Sequence, residues 1–373
     1  MKERIVIVGA GIAGAYLAYR LARQGSAVLV IDDGRAGRAT GWNPGGVNPL
    51  HGPGFPGPMA PFYRQAFELH SAHRELVRER SGIDFGWRVV DRLFLARDAE
   101  EEAGLRNLAE HYEKLDGFSA HWMSSGDIAR WDARMSGDWP GGLMTRGNAR
   151  VDAERYRLAL LATASSMGAE VIAGTVRGVE TTGERIVAVD CGGEAIPASG
   201  LCMATGSWAD EPIAGWSPGN NVSVRPSIGD LLLVRSAEPP PLADLSNGLT
   251  AIYQHDGDHF WIGGTSRADG PLGETTEEVE QALLAGAHSL MPGWGAPEVI
   301  ARSSAARPTT ADGLPVVGQT PNYRNGWIIN GLGGKGILLS AWTAEIIAGM
   351  IDGRPPDEDL ALVSPTRGIV DHG

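Results

Sequence analysis

The chain has 373 residues, a length that suits two domains and can bury a large core without disulfide or metal staples. Hydrophobic residues make up 43% and charged residues 21%, the balance of a soluble globular protein, and 52 glycines without a fixed period exclude a collagen-like chain. A net charge of −13 would repel a phosphate backbone, so no nucleic-acid partner is expected.

The chain opens with an apolar, β-branched run over 4–8, which predicts a strand buried on both faces. A glycine turn and a helix over 12–24 follow, the helix stopped by Gly25. A second buried strand over 27–31 ends at Asp32 and completes a βαβ unit. The apolar segment 5–22 behind Lys2 and Arg4 resembles a signal peptide, but Gly9, Gly11, Gly14, Tyr16, Tyr19 and Arg20 interrupt it. The expectation is therefore a cytoplasmic chain with no membrane span. Residues 34–58 are rich in Gly, Pro and Asn and predict a long functional loop. Within it, Trp42 could line a site, and His51 is expected to be a solvated loop histidine.

A helix over 61–80 should bury Phe62, Ala66, Leu69, His73, Leu76 and Val77. Residues 83–146 read as mixed, with a strand over 92–96 and a helix over 100–115. Next come a helix over 152–167 and strands over 170–173, 176–181, 186–190 and 198–204. Cys191 and Cys202 sit in apolar stretches that read as strands, and both are expected to be buried thiols. Further strands are predicted over 231–234, 251–254 and 260–262, then a helix over 277–290 and a strand over 327–330. A glycine-rich turn, 331–336, opens a last helix over 337–351, stopped by Gly353 and Pro355-Pro356. His70 and His73 lack the cysteine or carboxylate set of a metal site, and no metal is expected.

Gly9-Ala-Gly11-Ile-Ala-Gly14 is a G-x-G-x-x-G fingerprint in the required setting, after a strand and opening a helix. Gly9 would make the tight turn, Gly11 would admit a pyrophosphate, and Gly14 would allow close helix–strand packing. The phosphates would sit at the helix N-terminus beside Ile12 and Ala13. Asp32, with Asp33 as the alternative, would bind the adenosine ribose, which argues against NADP but does not separate FAD from NAD.

Arg307-Pro-Thr-Thr-Ala-Asp-Gly-Leu-Pro-Val-Val-Gly318 and Gly331-Leu-Gly-Gly-Lys-Gly-Ile-Leu-Leu339, taken with the fingerprint, resemble the D-amino acid oxidase family near glycine and sarcosine oxidases. Leu201–Trp208, Pro226–Asp230 and Ile262–Thr265 are similar to further family segments. The resemblance implies an α/β fold in which a Rossmann-type FAD-binding domain (1–50, 147–214, 303–373) carries an inserted mixed-β-sheet substrate domain (51–146, 215–302). It implies flavin contacts from Thr40, Gly45, Gly46, Val176, Ala204, Thr205, Gly206, Gly331, Gly333, Gly334, Lys335, Gly336 and Ile337 besides the fingerprint. Ser303 to Ala306 offer no cysteine for flavin attachment, so noncovalent FAD is expected.

The same resemblance implies that Arg307 pairs with a substrate carboxylate, the alternative being a structural ion pair. Tyr253 would contact substrate or serve the core. Lys335 would add charge at the flavin edge that becomes negative on reduction, or lie on the surface. Leu332, Lys335, Ile228 and Asp230 depart from the family pattern and leave the substrate open. The implied activity is oxidation of the C–N bond of a small amine or amino acid by hydride transfer to flavin N5, with oxygen or another electron acceptor. The alternatives are a hydroxy-acid dehydrogenase and an FAD-containing tRNA-modifying protein. A homo-oligomer is compatible with all of these.

Overall fold

The computed structural model describes residues 4–368 except 136, 138, 269, 271, 274, 355, 357 and 358. Lys2 and Pro355, which bear on the expectations for the chain start and the end of the last helix, lie outside the described residues. The fold is α/β. Its first strand, Ile5–Val8, is buried along its whole length because it pairs in parallel on both sides, with Val28–Asp32 and with Gly200–Met203. The six-stranded sheet runs Val316–Gln319, Gly326–Asn330, Gly200–Met203, Ile5–Val8, Val28–Asp32, Glu170–Ala173, and only Val316–Gln319 is antiparallel to its neighbour. Such a sheet must be covered on both faces. Helices Ile12–Arg23, Ala153–Ser166 and Gly336–Ile351 cover one face, and the small sheet Val176–Thr182, Arg185–Cys191, Glu194–Pro197 covers the other. Gly336–Ile351, with the turn before it, is long and apolar enough to cross a bilayer, yet most of it is buried against Ile12–Arg23 and Ala60–Ser81.

An eight-stranded mixed sheet stands beside this layer. Its order is Glu298–Thr309, Arg225–Arg235, His259–Gly263, Ala251–Gln254, Asp244–Ser246, Arg92–Ala96, Gly141–Arg146, Ser119–Ser124. Helix Glu277–Leu290 packs on it through Leu283, Ala287 and Leu290. Three short strands, Gly46–Val47, Ala149–Arg150 and Arg88–Val89, close the remaining gap.

Several expectations need correction. Helix Ala60–Ser81 buries Tyr63, Ala66, His70 and Val77, while Phe62, Leu69, His73 and Leu76 are only half-buried. A buried polar partner explains the shift: His70 reaches the Tyr156 hydroxyl at 2.8 Å and the carbonyls of Ile337 and Leu338 at 2.9 Å. Burial lowers His70 to about 4, so it is the neutral ring that ties this helix to the last one. The mixed region holds two unforeseen strands, Ser119–Ser124 and Gly141–Arg146, and the helix Ser125–Trp131, capped by a reciprocal Ser124–Asp127 box. Cys191 is half-buried rather than buried, because it closes a strand beside the Gly192–Gly193 turn. Among the described residues no cluster has the composition of a metal site.

Candidate functional site

A long groove runs across the carboxyl ends of the parallel strands, where Val8, Ile31, Asp32, Ala204, Ile329 and Asn330 form its floor. Open α/β sheets place ligands there because loops and helix N-termini converge on that edge. Gly9, with φ +103°, turns the chain so tightly that a Cβ would lie 2.4 Å from the Ala204 carbonyl oxygen. Gly14 presses on the same turn, a Cβ there lying 1.9 Å from the Gly9 oxygen. Gly11 is different: its missing side chain faces the groove, with only the Thr40 hydroxyl at 3.5 Å. Ile12 and Ala13 complete the wall at the helix start, where Thr40 accepts a hydrogen bond from the Ile12 amide at 3.0 Å.

Asp32 accepts hydrogen bonds from the amides of Ala10 (2.6 Å) and Gly34 (2.8 Å) and stands 3.5 Å from Arg38. Asp33 also lines the groove but is paired with Arg35 at 2.6 Å. Val176, Thr205, Gly206, Gly333 and Gly336 sit on the wall as well. Two buried wall atoms, the Thr205 hydroxyl oxygen and the Asn330 amide nitrogen, have no hydrogen-bond partner among the described residues. Buried polar groups are rarely left alone, so these atoms await a polar ligand. The fingerprint missed Asn330, Arg35 and Arg38 because neither spacing nor hydrophobic pattern marks them.

Seven of the sequence-predicted cofactor residues lie off this wall, Gly14 behind the turn being the first. Gly45 is wedged against Val151, and Gly46 pairs with Arg150 in a strand. Gly331 packs on Thr310, Gly334 faces Pro53, and Ile337 is in the core. Lys335 turns its ammonium inward to the carbonyls of Asn48, at 2.7 Å, and His51, over the Tyr63 ring at 4.6 Å. The surface alternative for Lys335 is thus overturned, since the residue is 7% exposed.

Burial, helped by nearby Arg92, pushes Lys335 down to about 7. The unfolded chain therefore binds one more proton than the folded chain between pH 7 and the ordinary lysine value of 10.5. Stability should rise with pH across that window, by up to about 1.4 kcal/mol per pH unit for one proton. Urea midpoints measured at pH 7 and pH 9.5 should show this rise, and Lys335→Met should flatten it. An equal rise in the variant would remove Lys335 as the cause.

Arg307 lies on strand Glu298–Thr309, opposite Ser227. Its neighbours Ala306 and Pro308 line the groove, and strand alternation puts the Arg307 side chain on the opposite face. There the guanidinium covers Gly229, where a Cβ would lie 2.1 Å from it, and donates to the Thr265 carbonyl at 3.0 Å. Among the described residues no carboxylate pairs with it. The adjacent Asp230 is occupied by Arg267, through two bonds of 2.9 Å, and by Thr265 at 2.8 Å. Burial alone would raise the Asp230 carboxyl, but these bonds hold it below the usual range. Burial also lowers Arg307, against the pull of Tyr253 and Asp230. The structural ion-pair alternative therefore lacks its acid among the described residues.

Tyr253 is half-buried on Ala251–Gln254, and its ring lies 4.7 Å from the Arg92 guanidinium. Trp42 meets Trp261 edge-on at 5.9 Å. His51 is buried rather than solvated, held between Arg92 (2.6 Å) and the Tyr112 hydroxyl (3.3 Å). Burial and the charges of Arg92 and Lys335 keep it well below the ordinary histidine range, hence neutral.

A sequence-family profile described as FAD dependent oxidoreductase (DAO) matches residues 4–350. Glycine oxidase of Geobacillus kaustophilus is 30% identical, over 98% of this chain and 97% of that protein. Glycine oxidase of Pseudomonas aeruginosa is 27% identical, over 98% of this chain and 99% of its own. The crystal structure of glycine oxidase from Geobacillus kaustophilus superposes with a TM-score of 0.91 at 27% identity, covering 99% of this chain and 100% of the other.

Proposed function

The chain belongs to the DAO family of FAD-dependent oxidoreductases, and on that premise we propose that it oxidises the Cα–N bond of a small amino acid or amine bound next to Arg307. The observation that carries this reading is Arg307 itself: a partly buried planar fork with no acid among the described residues, beside Tyr253 and one strand face away from the groove. A substrate carboxylate fits such a fork in two parallel hydrogen bonds. Tyr253 would bound the substrate on one side.

In this reading the adenosine ribose is held by Asp32, the pyrophosphate by the Gly9–Gly14 turn, and polar atoms of the cofactor by Thr205 and Asn330. When bound, FAD would supply the two-electron chemistry: acceptance of a hydride from the substrate α-carbon, and reoxidation by oxygen, which with two protons would be released as hydrogen peroxide. The amine nitrogen loses a proton as the C=N bond forms, and water then splits the imine into an oxo acid and ammonia or an amine. The protein contributes position: Arg307 fixes the carboxylate and thereby points the α-hydrogen. No dedicated base is needed for an amine that binds neutral. Noncovalent FAD and a cytoplasmic location belong to the same reading. So does a division into a cofactor part (1–50, 147–214, 303–373) and a substrate part, whose boundary the strand Glu298–Thr309 crosses.

The test is an anaerobic absorbance titration of the yellow protein against glycine, sarcosine, D- and L-amino acids, simple amines and hydroxy acids. Bleaching of the flavin by amine-bearing compounds is the expected result. Bleaching by hydroxy acids alone would replace the reading with a hydroxy-acid dehydrogenase. No bleaching by any compound would withdraw the substrate assignment.

A further inference from the structure

Three arginines are more than nine-tenths buried among the described residues. Arg150 is paired through Nη1 with both oxygens of Asp244 at 2.8 Å, and Arg157 is paired with Glu154 at 2.5 Å. Arg92 is the exception. Its side-chain hydrogen-bond partner is the neutral ring of His51, and its buried Nε has no partner among the described residues. Asp244 stands opposite Arg92 on the next strand, but its carboxylate is taken by Arg150 and the Gln254 amide. The nearby Lys335 is buried too, and is held by carbonyls rather than by an acid. A buried guanidinium is costly unless an anion pairs with it, and no described residue supplies that anion.

The position of Arg92 says where the anion comes from. Its guanidinium lies against one face of Tyr253. Strand register sets Tyr253 and Arg307 on the same face of the sheet: Tyr253 pairs with Trp261, Trp261 with Leu233, and Leu233 lies three alternations along its strand from Ser227, the partner of Arg307. Two arginines without acid partners among the described residues therefore lie on the sheet face that carries Tyr253. On the far side His51, itself on the 48–52 loop gripped by Lys335, fixes the Arg92 fork.

We propose that Arg92 anchors a second anionic group of the substrate, so that the preferred substrates are amino acids with two carboxylates, one held by Arg307 and the other, across Tyr253, by Arg92. This rests on the amine-oxidising reading above and narrows its substrate class. The second carboxylate can be carried on the nitrogen, as in iminodiacetate, or on the side chain, as in aspartate.

The experiment compares kcat/KM for iminodiacetate, D-aspartate and L-aspartate with that for sarcosine, D-alanine and L-alanine, in the wild-type holoenzyme and in Arg92→Gln and Arg92→Lys. The wild type should favour at least one dicarboxylate over its monocarboxylate counterpart. The favoured pair shows whether the second carboxylate sits on nitrogen or on the side chain. Arg92→Gln should lower that dicarboxylate-to-monocarboxylate ratio by about 10- to 100-fold, the worth of a charge-assisted hydrogen bond. Arg92→Lys should recover part of it. The ratio is insensitive to the fraction of enzyme that folds. A wild type without dicarboxylate preference, or a ratio unchanged in Arg92→Gln, would overturn the proposal.

A binding readout separates this proposal from the reading beneath it. Iminodiacetate and malonate should perturb the flavin spectrum and raise the melting temperature more than sarcosine and acetate do, and Arg92→Gln should abolish the difference. If no amine reduces the flavin but this difference is seen, the anion subsite stands and the oxidation reading falls. If amines reduce the flavin and the difference is absent, the subsite falls alone.

Discussion

Gly14→Ala is expected to leave less than about a tenth of the purified protein with FAD and to weaken the fold. The methyl would be placed 1.9 Å from the Gly9 carbonyl oxygen and 3.3 Å from Ile7. Both neighbours are fixed: Ile7 is in the central strand, and the Gly9 amide is bound to the Ile31 carbonyl at 2.8 Å. Gly9 cannot retreat, because its own α-carbon faces the Ala204 carbonyl. The helix must move off the strand, at a cost of about 1–3 kcal/mol or more. That motion also dismantles the turn that would cradle the pyrophosphate. Gly11→Ala is the informative contrast. Its backbone, at φ −65°, suits alanine, and the nearest atom is 3.5 Å away, so the fold should survive. The methyl would nevertheless project into the groove, and FAD affinity should fall by about tenfold or more. The ratio of absorbance at 450 nm to 280 nm, read with the melting temperature, distinguishes the two. Wild-type flavin content in Gly14→Ala would show that this turn is not the cofactor's cradle.

The second large effect is on turnover. Arg307→Ala should reduce kcat/KM for the best amino acid by about 100- to 1000-fold while flavin content is kept. Truncating one partner of a buried, hydrogen-bonded charge pair costs about 2–5 kcal/mol, and each 1.4 kcal/mol is a factor of ten. Most of the loss should appear in KM, because the carboxylate is bound before and during the reaction alike. Arg307→Lys should recover little, since an ammonium cannot match a carboxylate in two parallel bonds. Gly229→Ala probes the same group from beneath: its methyl would meet the guanidinium at 2.1–2.5 Å and push it aside. Its KM should rise with the flavin unaffected. Steady-state kinetics by peroxide release and a carboxylate-binding titration of the oxidised flavin would measure both variants. An unchanged KM in Arg307→Ala would remove the carboxylate anchor from the mechanism.

The local pattern of the chain already carried the βαβ unit. Apolar β-branched runs around Gly9, Gly11 and Gly14, closed by Asp32, define a strand, a turn, a helix and a strand without reference to anything remote. The periodic segments Ala153–Ser166, Glu277–Leu290 and Gly336–Ile351 were legible for the same reason, because cap and period lie within each segment. Resemblance in the segments around Arg307 and Gly331–Gly336 supplied the family.

Tertiary pairing decided the rest. Glu298–Thr309 forms because it aligns along the whole of Arg225–Arg235, and only that alignment sets the Arg307 side chain over Gly229. Ser119–Ser124 and Gly141–Arg146 have weak patterns of their own and exist as partners of each other and of Arg92–Ala96. His51, Arg92 and Lys335 are far apart in sequence, on a loop, a strand and a turn, and nothing in the local pattern brings them together. Periodicity reports which face of an element is apolar, but not which remote group will meet a polar one. The length, the fingerprint and the buried strands were thus properties of the sequence. The burial of His51, Arg92 and Lys335 together, with no acid pairing with Arg92 or Lys335 among the described residues, was a property of the folded chain. Charge and desolvation act through distance in space rather than along the backbone.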